Sequence, residues 1–236
     1  MCYLQSLRVM CGRFTLTRNY PGEVATLLGV EEATLETFRP RYNIAPLQRH
    51  FVVVSEYERR KIIPARWGLV NRWAKDNSQA ARCINAKAET VDVRPAFRDA
   101  FQKRRCVVPA DGFYEWTGPR SARRPLWFHR ADGRLVLFAG LYESWYPAKD
   151  EPETTFTIIT CAANKFIMPI HDRMPVILPD DEAAEDWMNP REAKPVTLKR
   201  LLVPAADSLL VMSEASPLVN SPKNDGPELL ALASVR

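Results

Sequence analysis

Residues 106–116 read Cys-Val-Val-Pro-Ala-Asp-Gly-Phe-Tyr-Glu-Trp. The start is apolar and β-branched, Asp111-Gly112 is a turn signal, and aromatics flank a glutamate beyond it. Similar strand-like runs follow at Leu126–His129, Leu135–Leu141 and Thr155–Thr160, with Phe51–Ser55 upstream and Leu209–Met212 as a last strand. Helical spacing occurs at Gly22–Val30, Arg94–Arg104 and Asp180–Met188. Strands outnumber helices and do not alternate with them. The expectation is an α+β single domain: a curved, barrel-like, mostly antiparallel sheet flanked by helices. The basic stretch Ser121–Arg124 reads as a hairpin tip, and Ser216–Pro227 as a polar, turn-rich tail.

The chain has 236 residues, 46% hydrophobic and 26% charged, enough for a core that needs no disulfide staples. Five widely spaced cysteines without a CxxC argue against a zinc site and a disulfide framework, and fit a reduced, cytoplasmic setting. No apolar run is long enough to span a membrane. Residues 1–9, MCYLQSLRV, do not read as a secretory signal. Net charge is +5, a balance that fits a polyanionic partner without requiring one.

Several residues could carry chemistry. In Met10-Cys11-Gly12-Arg13-Phe14-Thr15-Leu16, Cys11 is either a small buried strand residue or a thiol activated by the neighbouring arginine. Were Met10 to become an initiator and be removed, Cys11 would carry a free amine and a free thiol together. Glu115 lies between Tyr114 and Trp116: either a partly desolvated acid suited to proton transfer, or a solvent-facing glutamate. His171 and Arg173, two apart, would share a strand face and suit an oxyanion or phosphate, or else His171 is a satisfied structural histidine. Asn85 and Lys87 lie in Asn-Ala-Lys-Ala-Glu-Thr, which could equally be a surface turn. His50 and His129 have no such company and read as surface. Two segments interleave aromatics with cations: Arg39–Pro46, and Arg66-Trp67 running into Arg72-Trp73. That mixture suits single-stranded nucleic acid, and equally core tryptophans with solvated charges.

Taken in order, MCGRFTL at Met10, RYNIAP at Arg41, RWGLV at Arg66, NAKAET at Asn85, VVPADGFYEW at Val107, FAGLYESW at Phe138, FTIIT at Phe156, IHDRMPVIL at Ile170 and NSPKNDGPEL at Asn220 resemble the SOS-response-associated peptidase family, also described as abasic-site processing proteins. The resemblance covers nearly the whole chain from residue 10. It implies a covalent thiazolidine crosslink between an N-terminal cysteine and an abasic site in single-stranded DNA, shielding the lesion, together with autoproteolysis of the N-terminus and a lyase activity. By motif, Cys11 is the nucleophile, Glu115 handles protons, and Asn85 and His171 orient the sugar and its phosphate. Arg13, Asn43, Lys87 and Arg173 face the DNA backbone. Pro46 and Trp116 wedge or stack against the bases flanking the lesion, and Trp67 is a further DNA-binding residue. No metal or organic cofactor is implied. The expected partners are abasic single-stranded DNA and the replication machinery, for a monomer at the nucleoid.

The sequence departs from the family pattern in three places. Lys87 stands where arginine is common, which keeps the charge and loses the bidentate fork. Asn71 stands where proline is expected. Residues 1–9 form an extension before a domain running from 10 to 236. The extension is a start called too early, a propeptide that the chain removes, or a retained segment that blocks the amine. Cys2 also follows a methionine but lacks the Gly-Arg-Phe context. Two other functions compete: a cysteine autopeptidase or amidohydrolase using Cys11, Glu115 and His171 without DNA, and a non-enzymatic single-strand binding module.

Overall fold

Asp111 divides the stretch 106–116 between two sheets. The computed structural model describes residues 12–31, 38–57, 59–148, 151–192 and 194–235. Among these, the strands are β1 (Phe14–Leu16), β2 (Arg41–Ile44), β3 (Arg49–Glu56), β4 (Arg59–Trp67), β5 (Asn85–Lys87), β6 (Arg105–Ala110), β7 (Gly112–Thr117), β8 (Arg124–Arg130), β9 (Val136–Ala148), β10 (Glu151–Ala162), β11 (Arg173–Pro175), β12 (Ile177–Leu178) and β13 (Leu210–Glu214). The helices are α1 (Pro21–Leu28), α2 (Arg98–Lys103), α3 (Asp181–Met188) and α4 (Pro195–Lys199). Cys2 and Cys11 lie outside the described residues, as does the whole of 1–9.

Strands β10, β4, β3, β6 and β9 pair in that order, and β9 pairs back to β10, closing a five-stranded barrel. Pairing is antiparallel except where β10 runs parallel to β4 and β5. A second, antiparallel sheet has the order β13-β8-β7-β1-β2. The chain crosses from barrel to sheet at Asp111. Its carboxylate accepts from Thr15 Oγ1 at 2.5 Å, and from Thr17 N–H and Oγ1 at 2.5 and 2.6 Å, tying β1 to the crossing point. Gly112 is required there, because a Cβ would lie 2.2 Å from Trp127 Nε1.

The two sheets share one core. Phe14 of β1 meets Trp67 edge-on at 5.1 Å and Phe138 at 6.1 Å; Phe113 of β7 stacks on Phe128 and meets Phe138. Helix α1 begins with Pro21, buries Val24, Ala25 and Leu28, and stops at Gly29 with φ 64°. The Asp180 side chain caps α3 through Ala183 N–H, a contact worth about 1 kcal/mol. Helix α2 starts at Arg98, later than its sequence pattern, because 90–97 is taken up by successive turns. Among the described residues, no helix is long and apolar enough to cross a membrane, and no group of three metal-ligating side chains forms.

One turn is strained. Gln48 N–H reaches back to Ala45 O at 3.2 Å, closing a turn with Pro46 and Leu47 at its centre. Leu47 has φ 69°, a conformation that costs a side-chain-bearing residue about 1–2 kcal/mol.

The surface reading of the two histidines is corrected. His129 stacks on Trp127 with centroids 4.1 Å apart. His50 lies between Phe51 (4.5 Å, stacked) and Phe14 (5.1 Å, edge-on), and its Nε2–H donates to the Pro109 carbonyl at 3.1 Å. Burial pushes the His50 pKa down from 6.5 to about 4; the Pro109 carbonyl opposes this and Arg41 adds to it. Between those values the unfolded chain binds a proton that the folded chain does not. Stability from this residue is therefore present above pH 6.5 and lost as pH falls toward about 4, by about 3 kcal/mol. Urea unfolding of wild type and His50→Gln across this range is expected to give a steeper acid loss for wild type; parallel curves would refute the assignment.

Candidate functional site

Strand β1 delivers the N-terminal motif to β7. Phe14 pairs with Phe113, Thr15 pairs with Gly112, and Tyr114 N–H donates to Arg13 O at 3.0 Å. Continuing that register, Gly12 enters beside Glu115. Glu115 is 3% exposed and shares the strand face of Phe113, which packs into the common core. Tyr114 and Trp116 point to the other face, into a separate cluster with Val219 and Leu229. Glu115 is thus desolvated, but not by its two aromatic neighbours in sequence.

That other face is built by the C-terminal segment. Buried Asn43 donates from Nδ2 to the carbonyls of Val219, Ser221 and Asn224 at 3.2, 3.0 and 2.8 Å. Its Oδ1 accepts from Arg13 Nη1 at 2.8 Å, and the same nitrogen donates to Val219 O at 2.7 Å. The Arg13 guanidinium lies 6.0 Å from the Trp116 ring centre, and Trp116 Nε1 donates to Asn220 Oδ1 at 2.7 Å. Asp225 accepts from the backbone N–H of Tyr42 and Asn43 at 2.6 and 2.8 Å, and pairs with Arg41. Asn43 is enclosed at 0% exposure, so it holds Arg13 rather than meeting a ligand itself. Sequence reasoning matched the Asn220–Leu229 motif without finding this role; its run of short polar side chains was the signal.

Asn85, Lys87, His171 and Arg173 gather around Thr160. Strand β5 pairs Asn85 with Ile158 and Lys87 with Thr160; β11 pairs Arg173 with Ala162. Arg173 Nη2 donates to Thr160 O at 2.6 Å, and its guanidinium forks onto the Glu89 carboxylate, which it holds below the usual range. His171 precedes β11 rather than sharing it. Its Nδ1 lies 3.0 Å from the Arg173 backbone nitrogen. The Asp172 carboxylate lies 3.1 Å from the same nitrogen and is 75% exposed. Lys87 is exposed, and Asn85 is half-buried. Neither Glu89 nor Thr160 stood out in the sequence, where each occupies an ordinary polar position.

Trp67 links the two groups. Its ring contacts Phe14, and its Nε1 donates to Ile84 O at 2.8 Å, next to Asn85. Trp67 is fully enclosed and stacks beside Phe156, so it has no face for a base; it is a core residue. Exposed Trp73, 66% accessible, stands in the same segment. It lines a cleft of about 470 Å³ with Asn85, Asn71, Phe97 and the cations Lys75, Arg82 and Arg94. Cys83 is also there, its thiol pushed up by burial despite Arg94. Pro46 is half-buried on the strained turn. Two other cavities, near Asp111 and near Arg60, contain none of the candidate residues.

Comparisons with known proteins place the chain in a family. The family described as SOS response associated peptidase (SRAP) matches residues 10–222. The chain is 40% identical over 223 residues to abasic site processing protein YoaM of Bacillus subtilis (strain 168), covering 94% of this chain and 97% of that one. It is 32% identical over 224 residues to abasic site processing protein HMCES of Gallus gallus, covering 82% of this chain and 66% of that one. A crystal structure of a Bacteroides thetaiotaomicron protein superposes with TM-score 0.78 at 25% identity, covering 92% and 98% of the two chains. This chain belongs to the SOS response associated peptidase family.

Proposed function

We propose that this chain processes abasic sites in single-stranded DNA through a covalent bond from Cys11. The observation that carries the reading is the pairing of β1 with β7, which brings the chain in at Gly12, the residue joined to Cys11, beside buried Glu115. The names of the relatives support the substrate. The exposed Trp73 and the cations of the adjoining cleft suit a single strand, whose bases stack and whose phosphates need positive charge.

The chemistry requires Cys11 to be N-terminal. Its α-amine condenses with the aldehyde of the ring-opened sugar, forming an imine and releasing water. The thiol sulfur then adds to the imine carbon while its proton passes to nitrogen, closing a thiazolidine. Glu115 relays protons in both steps. Asn85 and His171 orient the sugar and its phosphate, with Lys87 as an exposed cation alongside. The imine stage also opens a lyase route. Residues 1–9 are an extension to the domain, consistent with a family match that begins at Met10. The free amine arises either because translation starts at Met10 and that methionine is then hydrolysed off, or because the chain hydrolyses the Met10–Cys11 bond itself. The protein acts as a monomer in the cytoplasm, at the nucleoid.

Denaturing intact-mass spectrometry with an abasic single-stranded oligonucleotide is expected to show a chain beginning at Cys11 that gains the oligonucleotide mass less one water. Cys11→Ala abolishes the adduct. A full-length chain without adduct would refute the proposal. Glu115→Gln is expected to slow adduct formation by about 10²-fold or more with non-covalent DNA affinity retained; a matching loss of affinity would make Glu115 a structural residue only.

A further inference from the structure

We propose that Asn71 reads the sequence beside the lesion: its side-chain amide forks onto the edge of an adenine seated in the cleft next to the abasic sugar. This rests on the reading of the site as one for abasic single-stranded DNA.

Asn71 is 8% exposed and lines the cleft that also holds Asn85. Its side-chain amide makes no hydrogen bond to any described residue. Such a group carries two donors and a carbonyl acceptor, and enclosing them unpaired is costly. The usual local reason for an asparagine is missing. Ala74 N–H donates to Asn71 O at 2.9 Å, which puts Asn71 first in a turn. Asparagine is favoured there because its side-chain oxygen can accept from the N–H two residues on. No such bond from Trp73 forms. Proline, the residue expected at this position, would bring no amide to bury. An enclosed, unpaired amide in a cleft wall points to a ligand that pairs with it.

The amide has firm support. Val70 N–H donates to Thr155 Oγ1 at 2.9 Å, Leu69 N–H donates to Cys83 O at 3.1 Å, and Trp145 Nε1 donates to Ala74 O at 2.9 Å. Val70, Ala80 and Trp145 pack into one cluster. A group that discriminates between base edges needs fixed placement of this kind.

The surroundings select the ligand. Trp73, two residues on, is 66% exposed and offers a face on which a base stacks. Lys75, Arg82 and Arg94 line the same cleft and suit the flanking phosphates; Asp76 is the only carboxylate among the described residues that line it. An asparagine amide complements adenine, donating to N7 while its oxygen accepts from the N6 amino group. Guanine presents two acceptors on that edge, so its O6 would face the amide oxygen. Asn85 shares the cleft, so the base that is read neighbours the open sugar. The outcome is a sequence preference that a chain with proline at this position lacks.

The test measures binding of single-stranded oligonucleotides that carry a tetrahydrofuran abasic analogue, which cannot crosslink. Each of the four bases is placed next to it, on the 5′ side and then on the 3′ side. Wild type is expected to prefer adenine on one side, about fivefold or more over guanine, the other base that stacks as a purine. Asn71→Pro and Asn71→Ala are each expected to lose the difference between adenine and guanine. Equal affinities for adenine and guanine in wild type on both sides overturn the proposal. So does an adenine preference that persists in either variant, or a preference for another base. If that same wild type crosslinks a natural abasic site, the functional reading stands. A wild type that neither binds the analogue nor crosslinks the natural lesion overturns both.

Discussion

The barrel closes through two parallel residue pairs, Thr155 with Arg66 and Phe156 with Trp67. So short a contact needs reinforcement. Arg66 supplies it with a two-pronged bond to Glu153 at 2.9 and 2.8 Å, and Val70 N–H adds a bond to Thr155 Oγ1. The chain leaves the barrel at Gly68, with φ 124°, where a Cβ would come within 2.8 Å of Ala80 O. It returns as β5, pairing with β10 again at Asn85. Residues 68–84 are therefore an excursion between two parallel contacts with one strand, and that excursion supplies much of the cleft wall. Strand β10 also receives β11 and holds Arg173 through Thr160, so one strand sets both Asn85 and the Arg173 side of the site.

Three short polar side chains do the remaining joining. Asp111 fastens β1 at the crossing between sheets, Asn43 fastens Arg13 to the C-terminal segment, and Asp225 fastens that segment to β2. Asn43 uses both its oxygen and its nitrogen, on four partners. An unsatisfied buried amide would cost about 1–3 kcal/mol. The network therefore also acts as a register check: slipping β2 by one residue would turn Asn43 away and strand several partners at once.

The fold class was legible because apolar or β-branched runs such as Cys106–Val108 and Thr155–Thr160 lie in buried strands, β6 and β10. Strand β4 was not, since Arg59, Arg60, Lys61 and Pro64 break its pattern. It tolerates Pro64 because β10 joins its far side only at Arg66 and Trp67, leaving no ladder there for a missing N–H to interrupt. The assignment of 106–110 and 112–117 to different sheets was equally hidden, for it depends on Thr15 and Thr17, far away in sequence. Motif spacing singled out Glu115, His171 and Asn85 as candidates but not their surroundings. Trp67 and Trp73 look alike beside arginines in sequence. Only the barrel closure decides that the first is enclosed and the second exposed.

The same distinction governs the charges. A net +5 says little about a partner, because many of the arginines are committed to the fold. Arg105 donates to five backbone carbonyls, Arg104 neutralises buried Glu143, whose pKa burial raises, and Arg66 closes the barrel. Even Arg173, which the motif offers for phosphate, is held by Glu89 and Thr160 and so shapes the site from behind. Exposed Lys87 stands one strand away from it. A lysine there gives up the fork but keeps a flexible reach, and it stands beside a fixed guanidinium that already supplies the rigid geometry. Arg173 thus braces Thr160 and the start of β11, while Lys87 is left exposed across β10.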